Sequence, residues 1–218
     1  MITLNQAIGR YKRQTVLGPL SLTIRQGEFI GVVGPNGSGK STLLRLLSGQ
    51  LSPAGEKRRF SAIAEGTAKK RVTTLKAQNI AFLFQHHTFT PTVPVTVEDV
   101  VYFGRTGAHG LAGRYRDDDH RAVNAAFTAM GLEADRYRLY RELSGGEKQK
   151  TQFARLLAQE AHLLLLDEPT AGLDLDWQEQ VTELTDKLFR EHSRTLVMVT
   201  HEIDRLPRCC NRVILLDQ

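Results

Sequence analysis

The amino-acid sequence predicts an α/β fold with a mostly parallel β-sheet and an inserted block of helices. Short apolar segments alternate with segments of helical period, which is typical of parallel sheets whose strands are joined by helices. A glycine-rich loop lies between a predicted strand and a predicted helix, and the pattern becomes helical and loop-rich between residues 86 and 154. At 218 residues the chain can bury one core and is too short for two domains of ordinary size. We therefore expect one domain over 1–218, with sheet-bearing portions at about 1–85 and 155–218 and a helical portion at about 86–154.

The predicted strands are short runs of aliphatic residues. They are expected at 28–33, 79–84, 162–167, 195–200 and 212–216. The first helix is expected at 41–50 and should end near Gly49, because glycine readily adopts the left-handed conformation that closes helices. A longer helix is expected at 176–193, where one apolar face indicates core packing and is formed by Trp177, Val181, Leu184 and Leu188.

The predicted helical insertion contains two helix signals separated by a loop rich in glycine and arginine. A turn and a short helix are expected within 91–104. Segment 117–132 begins with three aspartates, which favour a helix N-terminus. One apolar face of this segment is formed by Val123, Phe127 and Met130.

Composition and charge exclude several classes of protein. No apolar run approaches the ~20 residues of a membrane-spanning helix, and the N-terminal segment lacks the apolar centre of a signal peptide. We therefore expect a soluble protein or one peripheral to a membrane. The net charge of +5 is mild, and the basic segment 55–76 is interpreted as a solvated face because aromatic residues are not interleaved with its charges. Attraction of that segment to anionic lipid or nucleic acid is the alternative.

The two cysteines of the chain, Cys209 and Cys210, are adjacent. Neighbouring residues are poorly placed for an unstrained disulfide. We interpret both as small apolar residues near the last strand, with reactive thiols as the alternative.

The segment GPNGSGKST, residues 34–42, has the spacing of a phosphate-binding loop. Its glycines permit a tight turn in which backbone N–H groups point at phosphates, and the helix that follows favours anions at its N-terminus. Lys40 can reach the β- and γ-phosphates, and Ser41 can ligate Mg²⁺. The residues expected to bind the nucleotide here are Gly34, Pro35, Asn36, Gly37, Ser38, Gly39, Lys40, Ser41 and Thr42.

A second group of chemistry-bearing residues ends the strand expected at 162–167. Asp167 and Glu168 follow four leucines, so they should lie at the carboxyl edge of the sheet beside the phosphate loop. Asp167 is predicted to hold Mg²⁺ directly or through water. Glu168 is predicted to orient and polarise the attacking water. The alternative is an ordinary acidic turn after a strand.

Four motifs in this order resemble one family. The phosphate loop is followed by LSGGE (143–147), LLLLDEPTAGLD (163–174) and VTHE (199–202). Together they resemble the ATP-binding subunit of an ABC transporter over essentially the whole chain. The resemblance implies a P-loop NTPase (RecA-like) core with a mostly parallel sheet, an antiparallel β subdomain and an inserted helical subdomain. It also implies ATP hydrolysis, with ATP and Mg²⁺ as cofactors.

The resemblance accounts for a second glycine pair. In this family two copies face each other head to tail, and Ser144, Gly145 and Gly146 of one copy close over ATP held by the other. A homodimer, or a pair with a close homologue, is therefore expected when ATP is bound, whereas a flexible helix start is the alternative. Glu147 stands where the family most often has glutamine, and we expect function to survive this departure.

Four further residues take family roles by position. Gln85 matches the residue that contacts Mg²⁺ or water and couples to the membrane part, with a surface glutamine as the alternative. Asp174 matches the loop that touches the opposite copy, and it can also cap the helix at 176–193. His201 matches the histidine that contacts the γ-phosphate. Tyr11 matches the aromatic that stacks on adenine, with a half-buried strand tyrosine as the alternative.

The resemblance also implies partners and a location. We expect an integral membrane permease as the partner, and a peripheral position at the cytoplasmic face of the cell membrane. The helical insertion resembles that of zinc or manganese importers and that of ferric-chelate and vitamin B12 importers. We favour a free metal ion, with an extracytoplasmic solute-binding protein acting through the permease.

Other classes remain as alternatives. An exporter or lipid-moving system is one. A soluble ATPase acting on ribosomes or DNA is disfavoured, because the chain has one such domain and no sustained heptads, so no nucleic acid partner is expected. A small-molecule kinase that uses the phosphate loop is also disfavoured, because LSGGE would have no role in it. Four histidines lack a recognisable ligand spacing and are interpreted as surface residues: His86, His87, His109 and His120.

Overall fold

The computed structural model describes residues 2–12, 14–54, 59–60, 80–84, 93–109, 114–192, 194–201 and 203–217. The strands in these ranges are β1 (Ile2–Tyr11), β2 (Gln14–Ile24), β3 (Phe29–Val33), β4 (Arg59–Phe60), β5 (Ile80–Leu83), β6 (Leu163–Asp167), β7 (Thr195–Thr200) and β8 (Arg212–Leu215). The α-helices are α1 (Lys40–Ser48), α2 (Val97–Tyr102), α3 (Thr106–His109), α4 (Asp117–Met130), α5 (Gly145–Ala158) and α6 (Leu175–His192). The strands and helices expected from the sequence pattern are confirmed, with ends shifted by no more than about two residues.

The central sheet is parallel and has the strand order β5–β6–β7–β3–β8. β7 lies between β6 and β3, pairing Val199 with Asp167 on one side and Thr200 with Val33 on the other. Because parallel strands end at the same edge of a sheet, the segments that follow β3, β6 and β7 meet there. These segments are the phosphate loop, the Asp167–Glu168 segment and the segment that begins with His201.

The sheet is covered on both faces, and β3, β6 and β7 are buried along their whole length. Successive residues of β7 alternate between two cores, with Val197 and Val199 facing α1 and Leu196 and Met198 facing the core that includes α6. This double burial explains why these strands are continuous apolar runs rather than alternating patterns.

A second sheet is antiparallel, with the order β2–β1–β4. The family resemblance implied such a subdomain, and the structure confirms it. The backbone of β1 passes close to α1, since a Cβ on Gly9 would lie 2.4 Å from Cγ2 of Thr42. The antiparallel sheet therefore supports the first turn of α1 from outside the central sheet.

Helices α2 to α5 lie between β5 and β6 in the chain and form the inserted helical part. The apolar face expected on α4 is buried, as Val123, Phe127 and Met130 are. The boundary expected near residue 154 falls inside α5, and Gln159, just after that helix, donates to the carbonyl of Ile80 in β5 at 2.7 Å.

A buried ion pair lies within this insertion. Nε of Arg105 donates to Oδ1 of Asp119 at 2.7 Å, and Asp119 is 1% exposed. Nη1 of Arg105 reaches the carbonyl of Ala158 at 2.8 Å. Arg105 thus links the start of α4 to the end of α5.

Candidate active site

The phosphate loop joins β3 to α1 and requires glycine for two different reasons. Gly37 and Gly39 have φ angles of 86° and 91°, a region that other residues rarely adopt. At Gly34 the reason is space, since a Cβ would lie 2.3 Å from the carbonyl oxygen of Leu216. The local backbone therefore accounts for the glycine pattern of the motif.

The first turn of α1 is open to an anion. Its N-cap is Gly39, and no side chain among the described residues caps its N–H groups. The Lys40 ammonium donates to the carbonyls of Gly34 and Pro35 at 2.7 and 2.8 Å. Lys40 is buried and so places a positive charge within the curve of the loop. The Oγ of Ser38 is also buried there and has no hydrogen-bond partner within the described part of the chain.

Asp167 ends β6 and lies next to the first turn of α1. Its carboxylate is hydrogen-bonded to Ser41, while Oδ1 is buried and has no hydrogen-bond partner among the described residues. Burial raises the pKa of Asp167, the negative charge of Glu168 adds to this, and the Ser41 hydrogen bond opposes it. A hydroxyl and an unsatisfied carboxylate oxygen are ligands that Mg²⁺ prefers. The residues present therefore fit a Mg²⁺ ion held by Ser41 and Asp167.

Glu168 is held in an uncommon conformation beside His201. Its φ is 46°, and its N–H donates to the carbonyl of Val199 in β7 at 3.0 Å. Oε1 of Glu168 lies 3.3 Å from Nδ1 of His201. Glu168 is 8% exposed, whereas His201 is open to solvent. The carboxylate predicted to act on water is thus partly desolvated and has a defined neighbour.

The second glycine pair opens α5. Oγ of Ser144, the N-cap, accepts from the N–H of Glu147 at 3.3 Å, and Oε2 of Glu147 accepts from the N–H of Ser144 at 2.7 Å. This is a capping box. A Cβ added to Gly145 or to Gly146 would meet nothing within 4 Å. Packing against the residues that the structure describes therefore requires neither glycine.

Arg138 supports this capping box from outside the motif. Its Nη1 contacts Oε1 of Glu147 at 2.9 Å and Oδ1 of Asp135 at 2.5 Å. Hydrogen bonds from Ser144, together with that from Arg138, lower the pKa of Glu147 to about 2. Sequence reasoning missed this arrangement, although the S-x-x-E spacing of a capping box is visible in LSGGE.

Asp174 and Tyr11 lie at the positions that the resemblance requires and also make contacts within the chain. Oδ1 of Asp174 accepts from the N–H of Trp177 at 2.9 Å. Asp174 therefore caps α6, which is the structural role expected for it from the sequence. Oη of Tyr11 accepts from Nη1 of Arg45 at 3.0 Å, and its side chain is partly exposed at the end of β1. Neither contact excludes the family role.

A second link that the sequence did not predict joins α5 to the segment after β6. Nε2 of Gln149 donates to the carbonyl of Pro169, and both residues are buried. The helix that begins with the second glycine pair is thus tied to the loop that carries Glu168.

Several predicted features fall outside the described residues. Gln85, His86 and His87 are among them, as is the basic segment 55–76 apart from β4. His120 contacts the hydroxyl of Tyr102 through Nδ1 at 2.5 Å. None of the helices in the described ranges is both long and apolar enough to cross a bilayer.

Comparison with known proteins gives consistent matches. A family model described as ABC transporter matches residues 17–171. The chain is 36% identical to the high-affinity zinc uptake system ATP-binding protein ZnuC of Bacillus subtilis, over all of this chain and 91% of that protein. It is 38% identical to the ferric enterobactin transport ATP-binding protein FepC of Escherichia coli, over 94% of this chain and 74% of that protein.

Solved structures give the same result. A putative metal-chelate type transporter in an inward-facing conformation superposes with a TM-score of 0.80 at 28% identity, over 99% of this chain and 79% of that chain. A dimeric post-hydrolysis ATP-binding cassette bound to ADP and Pi superposes with a TM-score of 0.81 at 28% identity, over 100% and 94%.

Proposed function

This chain is an ATPase of the ABC transporter family, and we propose that it powers the import of a metal ion of the zinc or manganese type. The observation that carries the catalytic part is the meeting of Lys40, Ser41, Asp167 and Glu168 at one edge of the sheet. The similarity to importers carries the transport part.

ATP binding follows from the geometry of the phosphate loop. The uncapped N–H groups of α1 bind phosphate oxygens, and Lys40 exchanges its two carbonyl acceptors for the β- and γ-phosphates. Ser41 and Asp167 would hold Mg²⁺ when it is bound, and its charge would neutralise part of that of the β- and γ-phosphates. We propose that Gln85 contacts the metal or the attacking water. The remaining loop residues, from Gly34 to Thr42, shape the cradle, and Tyr11 stacks on the adenine.

Hydrolysis then requires a water molecule in line with the γ-phosphate. Glu168 accepts a hydrogen bond from this water and takes one of its protons as the water oxygen bonds to the γ-phosphorus. The bond from the γ-phosphorus to the bridging oxygen breaks in the same step, which leaves ADP and inorganic phosphate. His201 contacts the γ-phosphate and, being 3.3 Å from Oε1 of Glu168, also orients that carboxylate. Partial burial of Glu168 strengthens both interactions because less water screens them.

The second glycine pair supports a dimer. Gly145 and Gly146 have no steric need to be glycine among the described residues, yet glycine disfavours a helix by about 1 kcal/mol per residue in helix interiors. This favours close approach of a group from outside the chain to this backbone. We propose that this group is the γ-phosphate held by a second copy, with Asp174 near the same interface.

Two kinds of cargo are supported. Similarity to the zinc uptake protein favours a free metal ion, and similarity to the ferric enterobactin protein favours a ferric chelate as the second candidate. In either case we propose a membrane permease as the partner and a position at the cytoplasmic face of the membrane. An extracytoplasmic solute-binding protein delivers the cargo, and no nucleic acid is involved.

The test uses Glu168→Gln in the source cell, with Glu179→Gln on the exposed face of α6 as the matched control. Uptake of labelled manganese, zinc and ferric chelate is measured, each under starvation for that nutrient. Loss of zinc or manganese uptake alone supports the proposal, and loss of chelate uptake alone supports the second candidate. If all three persist while the purified variant binds ATP and hydrolyses it about 10² to 10⁴ times more slowly, the importer role falls and the ATPase remains.

A further inference from the structure

A cleft of about 650 Å³ lies between α4, α5 and α6, away from the candidate active site. Arg194 lines it and directly precedes β7. The active site gathers where β7 ends, so Arg194 lies at the opposite edge of the sheet. The size of the cleft is in the range of small-molecule sites.

The walls of the cleft are partly apolar. Helix α4 contributes a row of small side chains, and α6 contributes Leu184 and Leu188. The small side chains are Ala122, Ala125, Ala126 and Ala129. This leaves room for the apolar body of a ligand between the two helices.

Arg194 is a buried cation, and it forms no ion pair with any residue in the described part of the chain. It is 8% exposed, and its Nη1 has no hydrogen-bond partner among the described residues. Burial lowers its pKa, and the negative charge of Glu160 opposes this. Glu160 itself is paired with Nη1 of Arg105 at 2.8 Å. A buried guanidinium nitrogen without a hydrogen-bond acceptor costs free energy. This favours the binding of an anion beside Arg194.

The other charges of the cleft favour an anion. Lys150 and Lys187 add positive charge to Arg194, while Glu183 is the one acidic lining residue besides the already paired Glu160. Lys150 lies 4.7 Å from the ring centroid of Trp177, which keeps its ammonium at the cleft wall.

We propose that this cleft binds a small organic carboxylate, whose charged group pairs with Arg194 and whose apolar body lies against α4 and α6. A guanidinium presents parallel N–H donors that match a carboxylate, and the alanine row accepts an aliphatic or aromatic group. The ligand contacts both the helical insertion and the sheet-bearing part. The proposal does not depend on the transport role.

The test measures binding of cinnamate, benzoate and octanoate by calorimetry, with ADP present so that the phosphate loop is occupied. The neutral amide of each compound serves as the ligand control. We expect at least one carboxylate to bind, and Arg194→Met to weaken it about tenfold or more. Arg190→Met is the matched control, since Arg190 is exposed on α6 and pairs with Asp186 at 2.7 Å outside this cleft.

Two further measurements separate a binding role from a structural one. Without ligand, Arg194→Met should melt at an equal or higher temperature, because it removes an unpaired buried charge. Ala129→Trp should block binding by filling the cleft without touching the guanidinium. The proposal is overturned if no carboxylate binds at millimolar concentration, if amides bind as well as acids, or if binding survives in both variants.

Discussion

The chain contains two glycine-rich helix starts, and they are glycine-rich for different reasons. In the phosphate loop the chain itself demands glycine, by positive φ at Gly37 and Gly39 and by lack of space at Gly34. At the start of α5 no described residue does so, since the space around Gly145 and Gly146 is open. The glycines of the phosphate loop are thus explained by contacts and backbone angles within the chain, whereas those of α5 are explained only by the proposed contact with a second copy.

The caps of the two helices differ in the same way. In the part of the chain that the structure describes, no side chain caps the first turn of α1. In α5 the capping box uses the N–H groups of Ser144 and Glu147, which leaves those of Gly145 and Gly146 for an incoming anion. Both helices therefore offer backbone N–H donors in their first turn. In α5 the capping box also fixes the direction in which these donors point.

Mixing two inactive variants gives the largest expected effect on this comparison. We call the phosphate loop the first cradle and the start of α5, at Ser144–Gly146, the second cradle. Lys40→Ala removes the ammonium of the first cradle, and Ser144→Arg blocks the second. Each substitution alone should lower ATP hydrolysis about 100-fold or more. If one nucleotide contacts cradles from two copies, a mixed dimer keeps one intact site, so an equal mixture should recover about a quarter of the activity. The measurement is the steady-state ATPase rate against mixing ratio. No recovery at any ratio would mean that both cradles serve the nucleotide of their own chain.

The next effect concerns Asp167, the proposed Mg²⁺ ligand beside the phosphate loop. A carboxyl whose pKa is raised by folding stabilises the protein below its ordinary pKa, and this contribution is lost as the pH rises through the raised value. Asp167→Asn should therefore melt higher than the parent at pH 7, with the difference shrinking towards acid pH. Stabilisation by Mg²⁺-ATP, about 2.7 kcal/mol at a hundredfold excess over Kd, should be lost in the variant. Calorimetric melting with and without Mg²⁺-ATP checks both, and a variant that melts lower at pH 7 contradicts the assignment.

Matched alanine substitutions should then change stability in opposite directions. Gly39→Ala places a side chain at φ 91° and 3.0 Å from the carbonyl of Val16, so it should destabilise the fold by about 1–2 kcal/mol. Gly146→Ala should stabilise the isolated chain by up to about 1 kcal/mol while weakening ATP-dependent dimerisation. Urea unfolding and analytical ultracentrifugation measure the two quantities. Destabilisation by Gly146→Ala would show an internal role for that glycine.

The smallest expected effect concerns the charge at the second cradle. Arg138→Met leaves the Glu147 carboxylate without its counter-charge beside the incoming phosphate, so ATP-dependent dimerisation should weaken by about two- to fivefold. Glu147→Gln alone should be tolerated because glutamine can complete the same capping box. Titrating the dimer with ATP in both single variants and in the double variant measures the coupling. The double variant should regain parental affinity, and additive losses would contradict this role of Arg138.

Local sequence patterns were enough to predict much of the fold and of the phosphate loop. The parallel strands are apolar runs buried on both faces, and their shared edge follows from topology, so Asp167 and Glu168 could be placed beside the phosphate loop. The antiparallel hairpin gave no clear alternation, because register shifts interrupt the pairing of β1 with β2 between Leu4 and Arg10. Arg138 and the Arg105–Asp119 pair depend on tertiary contacts between polar residues, and no periodic pattern reports them.

Glu168 has a left-handed backbone, which costs a residue other than glycine about 1–2 kcal/mol. Replacing it with glycine relieves that cost and also deletes the carboxylate. A laboratory selection for heat resistance alone would consequently reward loss of this side chain. Engineering a more heat-stable form of this protein therefore needs a screen for ATPase activity in every round of selection.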